Sequence, residues 1–119
     1  MKTLVIGLGM GQLYAKILTQ LGHEVITMDT DQNKQATFAN LDTALYAHPQ
    51  LDAAFICTPN YTHDTIAQKI AKHCRIVFVE KPGVLDSKRW QTLQLTYPQT
   101  RFIMIKNNNP VRTTFSSLW

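Results

Sequence analysis

One stretch near the start of the chain, positions 4–11, limits the possible folds more than any other. Three consecutive apolar residues at positions 4–6 predict a buried strand, and glycines follow directly at positions 7, 9 and 11. Apolar residues then recur at helical spacing from position 13 to position 21. A strand, a glycine turn and a helix in this order are the context that a dinucleotide-binding fingerprint requires.

The glycines of this loop have distinct expected roles. Gly7 allows a tight turn, and Gly9 lets the backbone approach a pyrophosphate because no Cβ intervenes. The free N–H groups at the start of the helix and the positive end of its dipole favour phosphate binding. The spacing is G-x-G-x-G, since Gln12 stands where the third glycine of G-x-G-x-x-G falls and Gly11 comes one place early. The shortened form is also typical of S-adenosylmethionine-binding domains, and glycines that only turn the chain are the other alternative.

An acidic residue follows the next predicted strand, Glu24–Met28. Asp29 stands at the tip of that strand, 22 residues after Gly7. At about this distance a carboxylate usually accepts hydrogen bonds from the adenosine ribose hydroxyls, and its charge repels a 2′-phosphate. Asp29 therefore favours NAD over NADP. Asp31 is a competing candidate, although it is better explained as the N-cap of a short segment over 32–37.

Strand and helix patterns alternate along the rest of the chain. Thr62 is the expected cap of the central helix, with Asp64 in its first turn. Ile66, Ile70 and Cys74 are expected on the inner face of that helix. Further strands are expected at 36–39, 53–57, 75–79 and 102–105. Further helices are expected at 41–47 and from Asp86 or Ser87 onward. The second of these helices is expected to direct Trp90, Leu93 and Tyr97 inward. The alternation predicts an α/β fold with a doubly wound parallel sheet of about six strands and helices on both faces.

Four groups of residues follow the ends of predicted strands. They are the glycine loop, Asp29, residues 58–63 and residues 80–82. The carboxyl ends of parallel strands lie along one edge of the sheet, and ligands of such folds bind there at the point where the strand order reverses. We therefore expect these four groups to form one binding site.

Composition and charge narrow the functional classes. The chain has 119 residues and a net charge of +4 that is scattered along it, so no basic run indicates nucleic-acid binding. A first strand that begins near Thr3 leaves no room for a signal peptide, and no apolar run is long enough to cross a membrane. We therefore expect a cytoplasmic protein. Cys57 and Cys74 are expected as buried thiols rather than as a disulfide, and the residues around them lack metal-ligand spacing.

Two motifs in the second half of the chain resemble those of a known family. The sequence CTPN at 57–60, with His63 three places on, and the sequence VEKP at 79–82 resemble motifs of the Gfo/Idh/MocA family. Members of that family are NAD(P)-dependent oxidoreductases that act on sugars, inositols and related compounds. The resemblance spans 2–109 and implies a nucleotide-binding Rossmann domain at 1–109, followed by a tail at 110–119. It also argues against the methyltransferase alternative.

The resemblance implies roles for individual residues. The implied cofactor contacts are Gly7, Gly9, Met10 and Gly11 around the pyrophosphate, Asp29 at the adenosine ribose, Thr58, Pro59, Asn60 and His63 along the middle and nicotinamide side, and Glu80 and Lys81 at the nicotinamide ribose, with Pro82, often a cis residue in this family, directly after them. Lys81 is the implied catalytic residue, directed toward the substrate hydroxyl or carbonyl. His63 has an alternative explanation, as an early helical histidine that only forms a local hydrogen bond.

The chemistry of hydride transfer is compatible with a lysine at position 81. Hydride leaves a carbinol carbon only if the hydroxyl proton also leaves, so the site needs a proton acceptor or a positive charge near the oxygen. A lysine held beside the cofactor can supply either. Without the flanking Glu80 and Pro82, a lysine at a strand end would be explained as a solvated side chain.

The family normally continues into a larger α/β substrate domain with a second catalytic residue, often a histidine, whereas this sequence stops at Trp119. Two groups of residues stand near that end. The first group only loosely resembles the family's N-x-R segment and consists of Asn107, Asn108, Asn109 and Arg112. The second group forms an apolar tail suited to self-association and consists of Phe115, Leu118 and Trp119. The leading hypothesis is the nucleotide-binding half of an NAD-dependent dehydrogenase with little turnover alone. The alternatives are a partner chain that supplies the substrate domain and a non-catalytic dinucleotide-binding or assembly module.

Overall fold

The computed structural model describes residues 1–81 and 87–106, and for Lys81 and Lys106 it describes only the backbone. The described residues form five parallel strands and four helices. The strands are β1 (Lys2–Ile6), β2 (Glu24–Met28), β3 (Leu51–Ile56), β4 (Cys74–Lys81) and β5 (Arg101–Lys106). The helices are α1 (Gly11–Gln20), α2 (Leu41–Ala47), α3 (His63–Ile70) and α4 (Ser87–Thr96), with short 3₁₀ turns at Gln32–Lys34, Asn60–Thr62 and Ala71–His73. None of these described helices is long and apolar enough to cross a membrane.

The central strand β1 pairs with β2 on one side and with β3 on the other, so the sheet order is β2-β1-β3-β4-β5. In this register Val5 lies between Thr27 of β2 and Phe55 of β3. After β2 the chain crosses over β1 to reach β3, and the later strands add outward from there. The strand order therefore reverses at the carboxyl end of β1, which is where open α/β sheets bind their ligands.

Helices cover both faces of the sheet, as the sequence predicts. α2, α3 and α4 pack against one face, where Ile56, Ile70 and Leu93 belong to one cluster of buried apolar side chains. α1 packs against the other face, where Tyr14 stacks on Phe55 with ring centroids 5.5 Å apart. Strands that are apolar on both sides and lie between helical layers are typical of parallel sheets. The predicted doubly wound α/β architecture is confirmed.

The strand predicted at 36–39 does not form, so the described residues contain five strands where about six were expected. Only Phe38 pairs with β2, through a single bridge to Met28 and two backbone hydrogen bonds of 3.0 Å with the end of that strand. The residues on either side explain the short pairing. Gln35 turns the chain with a positive φ of 56°, and Asn40 already caps α2, which leaves too few residues for a strand.

The start of α3 and the position of Cys74 also differ from the prediction. α3 begins at His63, and Thr62 does not cap it, because its hydroxyl donates to the carbonyl oxygen of Pro59 at 2.6 Å. Cys74 lies outside the helix, since the 3₁₀ turn Ala71–His73 separates α3 from β4 and Cys74 opens that strand. The side chain of Cys74 is buried there, and burial raises the pKa of its thiol to about 12.

The other local predictions hold with shorter or shifted bounds. Asp31 caps the segment that follows it, as predicted, but that segment is a 3₁₀ turn that ends at Lys34 rather than near position 37. α4 begins at Ser87, whereas Asp86, the other predicted start, lies outside the described residues. The residues predicted to face inward from α4, namely Trp90, Leu93 and Tyr97, pack against the same core cluster as α3.

Candidate functional site

A cleft of about 560 Å³ lies at the carboxyl edge of the sheet, beyond the ends of β1, β2 and β3. Its walls include the glycine loop after β1, residues 28–30 at the end of β2 and residues 57–59 after β3. Leu41 at the start of α2 and several side chains of α3 form the remaining walls. The cleft therefore lies where the strand order reverses.

Gly7 makes the turn that begins the glycine loop. Its φ of +90° lies in the left-handed region, which favours glycine. A Cβ at this position would lie 2.9 Å from Thr58 Cγ2 and 3.0 Å from the carbonyl carbon and oxygen of Cys57. The N–H of Gly7 donates to the carbonyl oxygen of Met28 at 2.8 Å, which ties the turn to β2. The fold itself thus requires glycine at position 7, with or without a ligand.

Gly9 and Gly11 have opposite surroundings. A Cβ on Gly9 would meet no atom within 4 Å, and because Gly9 lines the cleft its backbone is open to a ligand. A Cβ on Gly11 would lie 3.0 Å from Val5 Cγ1 and 3.4 Å from Cys57 Cβ, because α1 starts close against the sheet. Gly11 therefore has the helix-packing role of the third fingerprint glycine. Met10 is exposed at the start of α1, where no side chain of the described residues caps the helix, and its contact with a cofactor stays a prediction.

Asp29 is half-buried at the end of β2 and lines the cleft. Its Oδ2 accepts a hydrogen bond from the N–H of Leu8 at 2.7 Å, and its Oδ1 accepts one from the N–H of Asp31 at 2.8 Å. The carboxylate therefore joins the end of β2 to the glycine loop. An ionised carboxylate has about four acceptor sites, so about two remain for the hydroxyls of a ribose.

Hydrogen bonds within the segment after β3 fix its shape. The hydroxyl of Thr62 bonds with the hydroxyl of Thr58 and donates to the carbonyl oxygen of Pro59. His63 is fully buried, and its Nε2 donates to the carbonyl oxygen of Thr58 at 2.8 Å. Thr58 and Pro59 line the cleft, whereas Asn60 and His63 do not. The local hydrogen bond proposed as the alternative role of His63 is present, and cofactor contacts of these four residues stay predictions.

Three titratable side chains converge on the face of the sheet that α1 covers. Cys57 and Glu80 follow the paired residues Ile56 and Val79, so both extend to the same face of neighbouring strands. Burial raises the pKa of the Tyr14 hydroxyl, and the charge of Glu80 raises it further. Burial likewise raises the pKa of the Cys57 thiol, with Glu80 adding to the effect. Cys57 is a free, partly buried thiol that also lines the cleft, and a contact of Glu80 with a nicotinamide ribose stays a prediction.

Lys81 is the last residue of β4, where its backbone pairs with Lys106 of β5. β3 separates β4 from β1, so Lys81 lies at the same edge of the sheet as the glycine loop but two strands away from it. The side chain of Lys81 and the whole of Pro82 lie outside the described residues, as do the predicted crossover and tail residues Asn107, Asn108, Asn109, Arg112, Phe115, Leu118 and Trp119. The catalytic role of Lys81 therefore stays a prediction.

α3 supplies a wall of the cleft that sequence reasoning missed. Thr65, Ile66 and Lys69 line the cleft together with Thr62, which precedes the helix. Their spacing of three and four residues places them on one side of the helix. The same spacing is found on the flank of any amphipathic helix, so it did not identify these residues as part of a site. Lys69 also forms an exposed ion pair with Asp42 of α2, with Nζ and Oδ1 2.9 Å apart.

Two larger hollows lie elsewhere: one of about 780 Å³ at the opposite end of the sheet, near the starts of β3 and β4, and one of about 670 Å³ lined largely by residues of α2 and α3. Both are lined by Lys72, His73 and Tyr97. None of the predicted site residues that the structure describes lines either hollow. The smaller cleft, which combines the glycine loop with Asp29, is therefore the candidate site.

A glycine loop open at Gly9, a carboxylate at the end of β2 and a cleft at the reversal of strand order together define a dinucleotide-binding α/β domain. A sequence profile of the NAD-binding Rossmann fold of the Gfo/Idh/MocA oxidoreductases matches residues 1–105. The chain therefore belongs to the Gfo/Idh/MocA family, and the resemblance inferred from the two motifs is confirmed. It is an NAD-binding domain of this oxidoreductase family.

Several solved structures share the fold of this chain. GenD2 from gentamicin A biosynthesis, solved with NAD, is 26% identical with a TM-score of 0.76, and the match covers 87% of this chain and 34% of GenD2. The myo-inositol 2-dehydrogenase of Lactobacillus plantarum is 21% identical with a TM-score of 0.72, over 87% of this chain and 35% of the enzyme. The WlbA (WbpB) dehydrogenase of Thermus thermophilus, solved with NAD and alpha-ketoglutarate, is 15% identical with a TM-score of 0.74, over 87% of this chain and 40% of that one.

The chain thus spans 34–40% of the length of these three structures. The comparison with curated proteins gives no match.

Proposed function

We propose that this chain binds NAD(H) across the carboxyl edge of its sheet and contributes one half of a hydride-transfer site. The convergence of three strand ends on one cleft carries the proposal. The adenosine half would occupy the cleft with its ribose at Asp29, and the pyrophosphate would pass Gly9 at the start of α1. The nicotinamide would then extend toward the ends of β3 and β4, where Thr58, Glu80 and Lys81 lie.

The cleft suits an adenosine with free ribose hydroxyls better than one with a 2′-phosphate. Asp29 lines the cleft, and its negative charge would repel a phosphate nearby. Lys69 is the one basic residue among the described lining residues, and the carboxylate of Asp42 already lies 2.9 Å from its Nζ. We therefore expect NADH to bind more tightly than NADPH.

Lys81 is the proposed catalytic residue. When bound, NAD supplies the hydride acceptor, and Lys81 would receive the proton of the substrate hydroxyl at Nζ or stabilise the negative charge that develops on the oxygen. Two observations support this role. The backbone of Lys81 lies at the same sheet edge as the cleft, and the residue stands within the EKP sequence that resembles the family motif.

The substrate proposed from the family resemblance is a sugar, a polyol or a related hydroxyl or carbonyl compound. Since the matched part of this chain covers only 34–35% of these solved relatives, a second domain would supply the remaining substrate contacts, in the same polypeptide or in a partner. The apolar residues Phe115, Leu118 and Trp119 would favour association with such a partner or with a second copy. We also propose that the protein is located in the cytoplasm.

The test is a titration of the purified 119-residue chain with NADH and, separately, with NADPH, followed by nicotinamide fluorescence. We expect saturable NADH binding, with NADPH at least about tenfold weaker. In a second arm, Lys81→Ala should leave NADH affinity nearly unchanged and abolish any hydride transfer found with a panel of sugars and polyols.

The two arms separate the parts of the proposal. Failure of both cofactors to bind would contradict the NAD site, and a preference for NADPH would contradict the role of Asp29. If NADH binds but no substrate in the panel reacts above background, the chain alone is a dinucleotide-binding module. Hydride transfer that persists in Lys81→Ala would remove this residue from the chemistry.

A further inference from the structure

Two backbone N–H groups donate to one carboxylate, that of Asp29. Asp29 Oδ2 accepts from Leu8 at 2.7 Å, and Asp29 Oδ1 accepts from Asp31 at 2.8 Å. Leu8 stands between the first two glycines of the loop, and its side chain is buried in the core beneath α1. The preceding N–H, that of Gly7, donates to the carbonyl oxygen of Met28 at 2.8 Å. Two consecutive N–H groups of the loop are therefore bound to the end of β2, one through the backbone and one through the Asp29 side chain.

A carboxylate at position 29 accepts hydrogen bonds from the N–H groups of both Leu8 and Asp31, whereas the side chains closest to it in size, those of Asn and Ser, cannot accept both. In Asp29→Asn the side chain has one oxygen and one NH₂ group, so one of the two N–H groups would face another donor. In Asp29→Ser the hydroxyl is one bond shorter and offers a single oxygen. A partly buried N–H that loses its acceptor is unfavourable, so the loop would shift until the Leu8 amide found another partner or water.

We propose that Asp29 is a positioning residue for the glycine loop as well as the residue that selects the cofactor. The proposal rests on the proposed NAD site, in which the pyrophosphate passes the same loop. The carboxylate fixes the Leu8 amide before any cofactor is bound, and with it the path of the backbone through Gly9. Ribose binding would use the acceptor sites that the two N–H groups leave over. Removal of this charge would therefore weaken the binding of both cofactors rather than convert the site to NADPH.

Amide hydrogen exchange in the free 119-residue protein tests the loop contact separately from cofactor binding. We expect Asp29→Asn to raise the exchange rate of the Leu8 amide at least about tenfold, because a charge-assisted acceptor is lost. Asp31→Asn is the matched control, since it removes the same charge two residues away while its side chain contacts Asn33 and not the loop. In Asp31→Asn the Leu8 exchange rate should stay within about twofold of the unsubstituted protein. Exchange at Phe55, in the centre of the sheet, reports whether either variant unfolds globally.

Cofactor titrations of the same variants complete the test. We expect Asp29→Asn to weaken NADH binding about tenfold or more without any gain in NADPH affinity, whereas Asp31→Asn keeps the ratio of the two affinities within about twofold. Unchanged Leu8 exchange in Asp29→Asn overturns the positioning role, and so does tighter NADPH binding in that variant. If the unsubstituted protein binds neither cofactor while Asp29→Asn still exposes the Leu8 amide, the proposed NAD site fails and the loop contact stands.

Discussion

At the residue scale, Gly7 and Gly9 meet opposite surroundings although they stand two places apart. We expect Gly7→Ala to lower the free energy of unfolding by about 2 kcal/mol or more, because φ is +90° and a Cβ would lie 2.9 Å from Thr58 Cγ2. Gly9→Ala should change it by less than about 0.5 kcal/mol, since its Cβ would meet no atom within 4 Å. Gly9→Ala should instead weaken NADH binding about tenfold, because the Cβ would stand where the pyrophosphate approaches.

Urea unfolding and NADH titration of both glycine variants provide the measurement. Each variant serves as the control of the other, since both add one methyl group to the same loop. An equal loss of stability in the two would contradict the open position of Gly9. Unchanged NADH affinity in Gly9→Ala would mean that the pyrophosphate does not pass this residue.

At the scale of elements, a bidentate ion pair joins α3 to α4. Arg89 Nε and Nη2 donate to the two carboxylate oxygens of Asp64 at 3.0 and 2.8 Å. The hydrogen bonds from Arg89 hold the pKa of Asp64 below its usual range. Because the pKa is depressed in the folded state, the pair stabilises the fold above the usual aspartate value of about 4. This contribution is lost as the pH falls through the lower folded-state pKa.

We expect Asp64→Asn to lower the free energy of unfolding at pH 7 by about 0.5–1 kcal/mol, a modest value because both partners are partly exposed. Asp42→Asn is the matched control, because Asp42 and Asp64 are each the second residue of their helix. Asp42 forms only a single contact with Lys69, and its side chain is 71% exposed, so its loss should have the smaller effect.

Urea unfolding as a function of pH distinguishes the two aspartate variants. The destabilisation caused by Asp64→Asn should shrink progressively as the pH falls from about 4, the usual aspartate value, through the lower pKa of Asp64 in the folded state. Equal effects of the two substitutions at pH 7, or an Asp64 effect that does not depend on pH, would show that the bidentate pair contributes nothing of its own.

At the scale of the whole molecule, a ligand in the cleft would contact the ends of three strands, the start of α2 and one side of α3. A ligand that binds only the folded state stabilises it by mass action, so NADH at about 100 times its Kd should add about 2.7 kcal/mol. For a chain of this size, we expect a rise in Tm on the order of 10 °C. Thermal unfolding with and without NADH measures the rise. Reduced nicotinamide mononucleotide at the same concentration is the control, because it lacks the adenosine that the cleft would hold. An equal rise in Tm with this control would contradict the proposed orientation of the cofactor.

Local chemistry is the reason that much of the molecule could be predicted from the sequence. The apolar runs of β1 and β3 and the glycine turn between β1 and α1 depend on residues a few places apart. The same holds for Asp31, which caps the turn that follows it. The location of Asp29 at the edge of the sheet follows from its position at the end of a strand. Fold class, the rim of the candidate site and the family resemblance all come from such short-range patterns.

The sequence by itself therefore determined the alternation of strands and helices, the glycine loop and the edge of the sheet that carries the candidate site. Only the tertiary structure decided that residues 36–39 contribute a single bridge, that α3 forms a wall of the cleft and that Asp29 holds the amide of Leu8. These features depend on contacts between residues far apart in the chain, 21 positions in the case of Leu8 and Asp29. They exist because β1 lies between β2 and β3, and no local pattern of residues encodes that strand order.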